Sequence, residues 1–110
     1  DIGKHFPDTD PDFKGADSID LLKRVCGLVR EKGYALGNLD ATVIAQSPKL
    51  SPYIERMRQN IADACGCHVS FVSIKATTEE GLGFTGDGSG ISAHCVALLT
   101  KCNNSEAVFI

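Results

Sequence analysis

The sequence predicts an α/β domain, and three observations carry that reading. Two segments, 17–32 and 52–65, repeat apolar residues at helical spacing. Three others, 36–45, 72–76 and 91–100, read as strands rich in Val, Ile, Leu, Thr and Ala. Helix caps and glycine stops separate the elements.

The chain opens with a loop. Pro7 and Pro11 break any helix across residues 1–15 and push the residues before them to extended backbone. Asp1, Asp8, Asp10 and Asp12 make this stretch acidic. It is either a solvated acidic loop or a loop that accepts hydrogen bonds from the hydroxyls of a sugar or polyol, since carboxylates are pure acceptors. Phe6 is either a core anchor or a ligand-facing aromatic.

The first helix, Asp17 to Lys32, carries a stripe of Ile19, Leu22, Val25, Cys26 and Val29, widened by Leu21 and Leu28. Asp17 or Ser18 caps it and Gly33 ends it. In the first strand, Leu39, Ala41, Val43 and Ala45 alternate with Asn38, Asp40, Thr42 and Ile44, so its more polar face is not plain core and is free to meet another subunit. Residues 46–51 are a turn whose one cation is Lys49. Ser51 is expected to cap the second helix, with Pro52 at its first position. Ile54, Met57, Ile61, Ala64 and Cys65 form the buried stripe, Arg56 and Arg58 are surface charges or a contact to a neighbouring chain, and Gly66 is the stop. His68 is read as structural. In the last strand both alternating sets are largely apolar, which predicts two covered faces; His94 is the polar exception. Residues 102–110 read as a loose tail, and the chain as a single domain over 1–110.

The stretch 74–90 organises the rest. A buried strand runs into Thr77, Thr78, Glu79 and Glu80, followed by Gly81, Gly83, Gly86, Gly88 and Gly90. Hydroxyls and free backbone N–H groups suit phosphate oxygens, and a carboxylate suits the Mg²⁺ or Mn²⁺ that accompanies them. Glycines allow close backbone approach. The plain alternative is a surface turn with a flexible loop.

Bulk properties narrow the function classes. A chain of 110 residues suits one domain with a modest core and makes oligomerisation plausible. A net charge of −3 argues against non-specific nucleic-acid binding. No apolar run approaches membrane-spanning length. Five cysteines at irregular spacing point to free thiols in a reducing compartment. Cys65, Cys67 and His68 lack the second ligand pair of a zinc site, which leaves a helix terminus as the simpler reading. The absence of an initiator Met, with a dense motif opening at Asp1, reads as a fragment of a longer chain.

Three segments then resemble one family. KATTEEGLGFTGDGSG (75–90) is similar to the KATTTExLGFTGxGEG signature of the 2-C-methyl-D-erythritol 2,4-cyclodiphosphate synthases of the non-mevalonate isoprenoid pathway. DIGKHFPDTDPDFKGADS (1–18) resembles their DIGxxFPDTDPxFKGADS, and GNLDATVIAQSPKLSP (37–52) their GNxDxTxIAQxPKxxP. The resemblance implies a mixed sheet with helices packed on one face, and a homotrimer with its sheets around the threefold axis and active sites between subunits. It implies a phosphorus–oxygen lyase in which the 2-phosphate of 4-diphosphocytidyl-2-C-methyl-D-erythritol 2-phosphate attacks the β-phosphate and CMP leaves. It excludes neither of two relatives of that reading, a non-catalytic trimeric nucleotide-binding module and a fusion to the preceding cytidylyltransferase.

Carried over residue by residue, the resemblance places Asp1, Ile2 and Gly3 at the ribose and methylerythritol. Phe6, Pro7, Asp8, Thr9 and Asp10 would line the methylerythritol pocket. Ala45, Gln46, Ser47, Pro48, Lys49, Leu50 and Ser51 would form the cytosine pocket, mainly through backbone groups. Thr77 and Thr78 would bind the phosphates, with Thr78 the transition-state stabiliser. Glu80 would ligate Mg²⁺ or Mn²⁺, Glu79 adds charge beside it, and Phe84 would sit near the substrate and an axial cavity. The family's Zn²⁺ ligands would lie upstream of Asp1, and none falls in this chain. Asp87 and Ser89 stand where many bacterial members carry Arg and Glu, which disfavours a diphosphate in that cavity. The implied compartment is the cytoplasm of a bacterium or a plastid.

Overall fold

A computed structural model describes residues 2–7, 9–11 and 15–102, with Ile2 described by its backbone alone. Asp1, Asp8, residues 12–14 and most of the expected tail, 103–110, lie outside the described residues. The elements run in the order α1 (Ile2–His5), α2 (Ser18–Glu31), β1 (Tyr34–Ile44), a 3-10 turn (Ser51–Tyr53), α3 (Ile54–Cys65), a second 3-10 turn (Val69–Phe71), β2 (Val72–Thr77), α4 (Gly83–Gly86) and β3 (Ser92–Lys101).

Capping follows the sequence for α2. Asp17 is its N-cap, its carboxylate accepting the Ile19 N–H at 2.7 Å, which satisfies one of the orphan donors of the first turn. Gly33, one residue past the end, has φ +87°, a conformation that side chains rarely adopt. Gly66 closes α3 in the same left-handed region at φ +70°. Two expectations at helix starts are corrected. Ile2–His5 forms one helical turn where a loop was expected, ahead of the prolines that bar its extension. Ser51 is the first residue of a 3-10 turn, with Pro52 second and no side-chain cap, and α3 proper starts at Ile54.

The three strands form one sheet in the order β2-β1-β3. β1 and β2 are parallel, from Leu39 opposite Val72 to Ile44 opposite Thr77, with α3 as the crossover that parallel pairing requires. β1 and β3 are antiparallel, from Tyr34 opposite Lys101 to Ile44 opposite Ser92, with an irregularity between Leu36 and Asn38. Gly37 sits there, and a Cβ on it would meet Thr100 Cγ2 at 3.0 Å and the Leu98 carbonyl oxygen at 3.2 Å. Beyond β3, the Cys102 N–H donates to the Gly33 carbonyl at 2.8 Å, so the expected loose tail does not include Cys102.

The register sorts the side chains into two faces. Leu39, Ala41 and Val43 share the helix side with Val72 and Ile74. The core is small: Leu39, Ala62, Val72 and Ile74, with Leu36, Ile54, Met57 and Ile61 packed around it. Ala62, fully buried at 0% exposure, shows that α3 buries a wider arc than the expected stripe. Arg58 borders that arc. Its Nε donates to the Val72 carbonyl at 2.7 Å and its Nη2 to the Val69 carbonyl at 3.0 Å, while Nη1 pairs with Glu55. It is a half-buried brace between α3 and the start of β2, in place of the surface charge expected from sequence.

The last strand departs furthest from expectation. Both faces of β3 are open in the single chain, with Val96 77% and Leu98 56% exposed. The helices lie over β1 and β2, and β3 is one of the sheet's two edges. Between α2 and the sheet runs an apolar cavity of about 120 Å³ that reaches Cys26, Cys65, Ala97 and Leu99. Burial there, with a hydrogen bond to Cys26 second, pushes the Cys65 thiol up to about 12.

Candidate functional site

Parallel pairing puts the carboxyl ends of β1 and β2 side by side, the place where open α/β sheets bind ligands. The chain leaves β1 at Ile44 and β2 at Thr77, which are register partners. The Ala45 N–H then donates to the Thr77 carbonyl at 3.1 Å and extends the pairing by one step. The turns that follow therefore face each other across a cleft of about 370 Å³. Ala45, Gln46, Pro48, Lys49, Leu50 and Ser51 line one wall; Ala76, Thr77 and Thr78 line the other. Ser47 is exposed in the same turn, joined to Pro48 by a cis peptide bond.

The second turn has a defined internal geometry. Thr78 Oγ1 accepts the Glu80 N–H at 3.1 Å, so the hydroxyl's proton remains available to an incoming anion. Thr77 Oγ1 donates to the Thr78 carbonyl at 3.4 Å. Glu80 has φ +53°, a left-handed backbone at a residue other than glycine. The Gly81 N–H reaches across to Gln46 Oε1 at 3.2 Å and ties this turn to the other wall. Where the plain alternative was a flexible loop, the glycine run holds a helical turn, α4, and Gly86 approaches Gly81 too closely for a side chain. A Cβ on Gly86 would lie 2.3 Å from the Gly81 carbonyl carbon.

Glu79 and Phe84 belong to a second cleft of about 360 Å³, with Leu82, Thr85, Ser92 and His94. Phe84 is 59% exposed and its ring lies against Gly90, where a Cβ would come within 2.8 Å of Phe84 Cδ2. Asp87 accepts from the Ser89 N–H at 2.8 Å and from the Ser89 hydroxyl, and these bonds lower its pKa. Asp87 and Ser89, set against Arg and Glu in the resemblance, are thus bonded to each other. His68 caps the 3-10 turn at Val69–Phe71, its Nδ1 accepting the Ser70 N–H at 3.1 Å.

The N-terminal residues are placed separately. Gly3 lies in α1, Phe6 and Pro7 are half-buried, Thr9 is exposed, and the Asp10 N–H donates to the Pro7 carbonyl at 3.1 Å. None of these lines either cleft. Asp1 and Asp8 lie outside the described residues, as does the Ile2 side chain. The structure adds one residue the sequence reading had assigned no side-chain role: Gln46, whose amide bridges the two walls. A polar residue directly after a strand was the only signal for it.

Metal fit differs by ion. Among the described residues no group of three His, Cys, Asp or Glu side chains converges on a point, so the donor set of a zinc centre is not assembled by them. Mg²⁺ is commonly held by one or two carboxylates together with substrate phosphates; Glu80 stands two residues after Thr78 in the turn and is not among the residues lining either cleft.

A mixed sheet whose parallel pair feeds two polar turns around one cleft defines an open α/β domain with a polar cleft at its strand ends. The chain belongs to the YgbB family, which matches residues 1–100. It is 69% identical over 99 residues to a protein of Trichlorobacter lovleyi named 2-C-methyl-D-erythritol 2,4-cyclodiphosphate synthase, covering 90% of this chain and 63% of that protein. A Bacillus subtilis protein of the same name is 59% identical, with 92% and 64% covered. The chain therefore spans under two thirds of the length of these curated relatives. Among solved structures, the bifunctional IspDF from Campylobacter jejuni superposes with a TM-score of 0.87 at 42% identity, covering 92% of this chain and 27% of that one. A Plasmodium falciparum IspF described as a CDP complex superposes at 0.80 with 33% identity, covering 94% and 61%.

Proposed function

We propose that this chain supplies the greater part of a 2-C-methyl-D-erythritol 2,4-cyclodiphosphate synthase subunit, a phosphorus–oxygen lyase of the non-mevalonate isoprenoid pathway. The observation that carries the proposal is the single cleft between the 45–51 turn and Thr77–Thr78. Its polar turns suit a cytidine diphosphate group, and a similar structure is described as an IspF CDP complex. The nucleobase would lie against backbone groups of the 45–51 turn, with Lys49 beside the phosphates. Thr77 and Thr78 would donate to phosphate oxygens.

In the proposed step an oxygen of the substrate's 2-phosphate attacks the β-phosphorus. A new P–O bond closes the ring, and the bond from the β-phosphorus to the bridging oxygen breaks. That oxygen departs with CMP, so no side-chain nucleophile and no water is consumed. The task left to the protein is positioning two anions and donating hydrogen bonds where charge develops. Thr78 suits the second role because its hydroxyl already accepts the Glu80 N–H and has its proton to give. Glu80 would hold Mg²⁺ or Mn²⁺, which when bound neutralises diphosphate charge. Zinc, the methylerythritol contacts of the 1–10 segment, a homotrimer and a location in the bacterial cytoplasm or a plastid complete the reading as the resemblance implies them. The open faces of β3 support the trimer.

Two variants of the full-length chain test the assignment. Glu80→Gln should raise the Mg²⁺ concentration for half-maximal turnover about tenfold or more. Thr78→Val should lower turnover about 10²-fold with CDP affinity retained. Unchanged metal dependence in the first, or unchanged turnover in the second, contradicts the role given.

A further inference from the structure

We infer that Gln46 is a positioning residue that aims the Glu80 carboxylate, and so couples the nucleobase turn to the cation; this rests on the reading of Glu80 as the cation's ligand. The direction in which a side chain leaves the backbone, its Cα–Cβ bond, is set by the two peptide planes that flank its Cα, and the χ rotamers then start from that bond. At Glu80 both planes are held by side chains from outside the residue. The preceding plane is fixed through the Glu80 N–H, accepted by Thr78 Oγ1 at 3.1 Å. The following plane is fixed through the Gly81 N–H, accepted by Gln46 Oε1 at 3.2 Å. Between these restraints Glu80 sits at φ +53°, which an L side chain adopts only when its surroundings hold it there.

The first restraint is local, two residues along the chain. The second crosses the cleft, from the first residue after the buried Ala45 to a turn 35 residues further on. Ala45 is itself anchored by its N–H to the Thr77 carbonyl at 3.1 Å, so the base of Gln46 is fixed to the same strand end that carries the phosphate-facing threonines. A ligand that orders the 45–51 turn therefore orders Glu80 through one amide side chain. Outer partners of this kind tune metal affinity without touching the metal.

The test uses the full-length chain with Mn²⁺ and CDP as probes. Free Mn²⁺ is read by electron paramagnetic resonance, and the Gly81 amide by NMR hydrogen exchange. Gln46→Met removes the acceptor at similar length, and Gln46→Glu keeps one. Gln46→Met should weaken Mn²⁺ binding in the presence of CDP about tenfold and speed Gly81 exchange, while Gln46→Glu retains both. A Gln46→Met protein that binds Mn²⁺ within about twofold of the parent overturns the inference, as does a Gln46→Glu protein that loses as much as Gln46→Met; the tenfold effect sought is about 1.4 kcal/mol. Glu80→Gln separates the two levels of the argument. If it loses Mn²⁺ while Gln46→Met keeps it, this inference alone fails; if it too keeps Mn²⁺, the reading of Glu80 fails with it.

Discussion

At the scale of residues, the site depends on a few backbone conformations that only certain side chains permit. Gly86 is the tightest, its missing Cβ leaving room for the Gly81 carbonyl carbon at 2.3 Å from where that atom would stand. The obstructing group is backbone, so it has no rotamer to adopt. Gly86→Ala should cost about 1–3 kcal/mol in denaturant unfolding and displace the 79–81 turn, seen as faster Gly81 amide exchange; stability within experimental error of the parent would contradict the packing described. The glycine-rich run, the threonine pair and the two glutamates were all visible in the sequence because their residue types are unusual in combination. Gln46 and Arg58 were not. Each works through a partner distant in sequence, Gly81 for one and the Val69 and Val72 carbonyls for the other. Nothing local distinguishes such a Gln or Arg from a solvated one.

At the scale of elements, local signals placed the helices and strands well, since caps, stops and periodicity act within one segment. Asp17, Gly33 and Gly66 mark helix ends as expected. Pairing order is non-local: the family resemblance implied a mixed sheet without its order, and the parallel β1–β2 ladder that creates the cleft came only from the structure. One cross-strand ion pair reports on that ladder. Lys75 Nζ lies 2.7 Å from Asp40 Oδ1 across the parallel pair, and this hydrogen bond lowers the Asp40 pKa. A lowered folded-state value means that the contribution is present above the unfolded carboxylate value, about pH 4, and is lost as pH falls through the lower folded value. Parent and Lys75→Met should therefore differ in stability at neutral pH and converge below about pH 4. A difference that persists unchanged into acid would show that Lys75 acts through packing alone. Both partners are more than half exposed, so the effect should also shrink with salt.

At the scale of the whole molecule, the core is small and much apolar surface remains open on β3 and around Phe84. The sequence reading expected both faces of the last strand to be covered, and its apolar alternation is real; in one chain the helices pack on β1 and β2 and leave β3 exposed. Among the described residues no helix is long and apolar enough to cross a membrane. Subunit contacts are the covering that the proposed trimer would supply. The full-length chain should sediment at three times its protomer mass, and Val96→Arg, at a site 77% exposed in the single chain, should shift it toward monomer. A parent that sediments as a monomer would remove the trimer from the account.

Phosphorus NMR reports on the proposed cyclisation itself. The full-length protein is given 4-diphosphocytidyl-2-C-methyl-D-erythritol 2-phosphate with Zn²⁺ and Mg²⁺, then with a chelator. The account predicts that the substrate signals are replaced by those of a cyclic diphosphate and CMP, and that chelation stops the conversion. A substrate spectrum that does not change with metals present, while the nucleotide still binds, would contradict it.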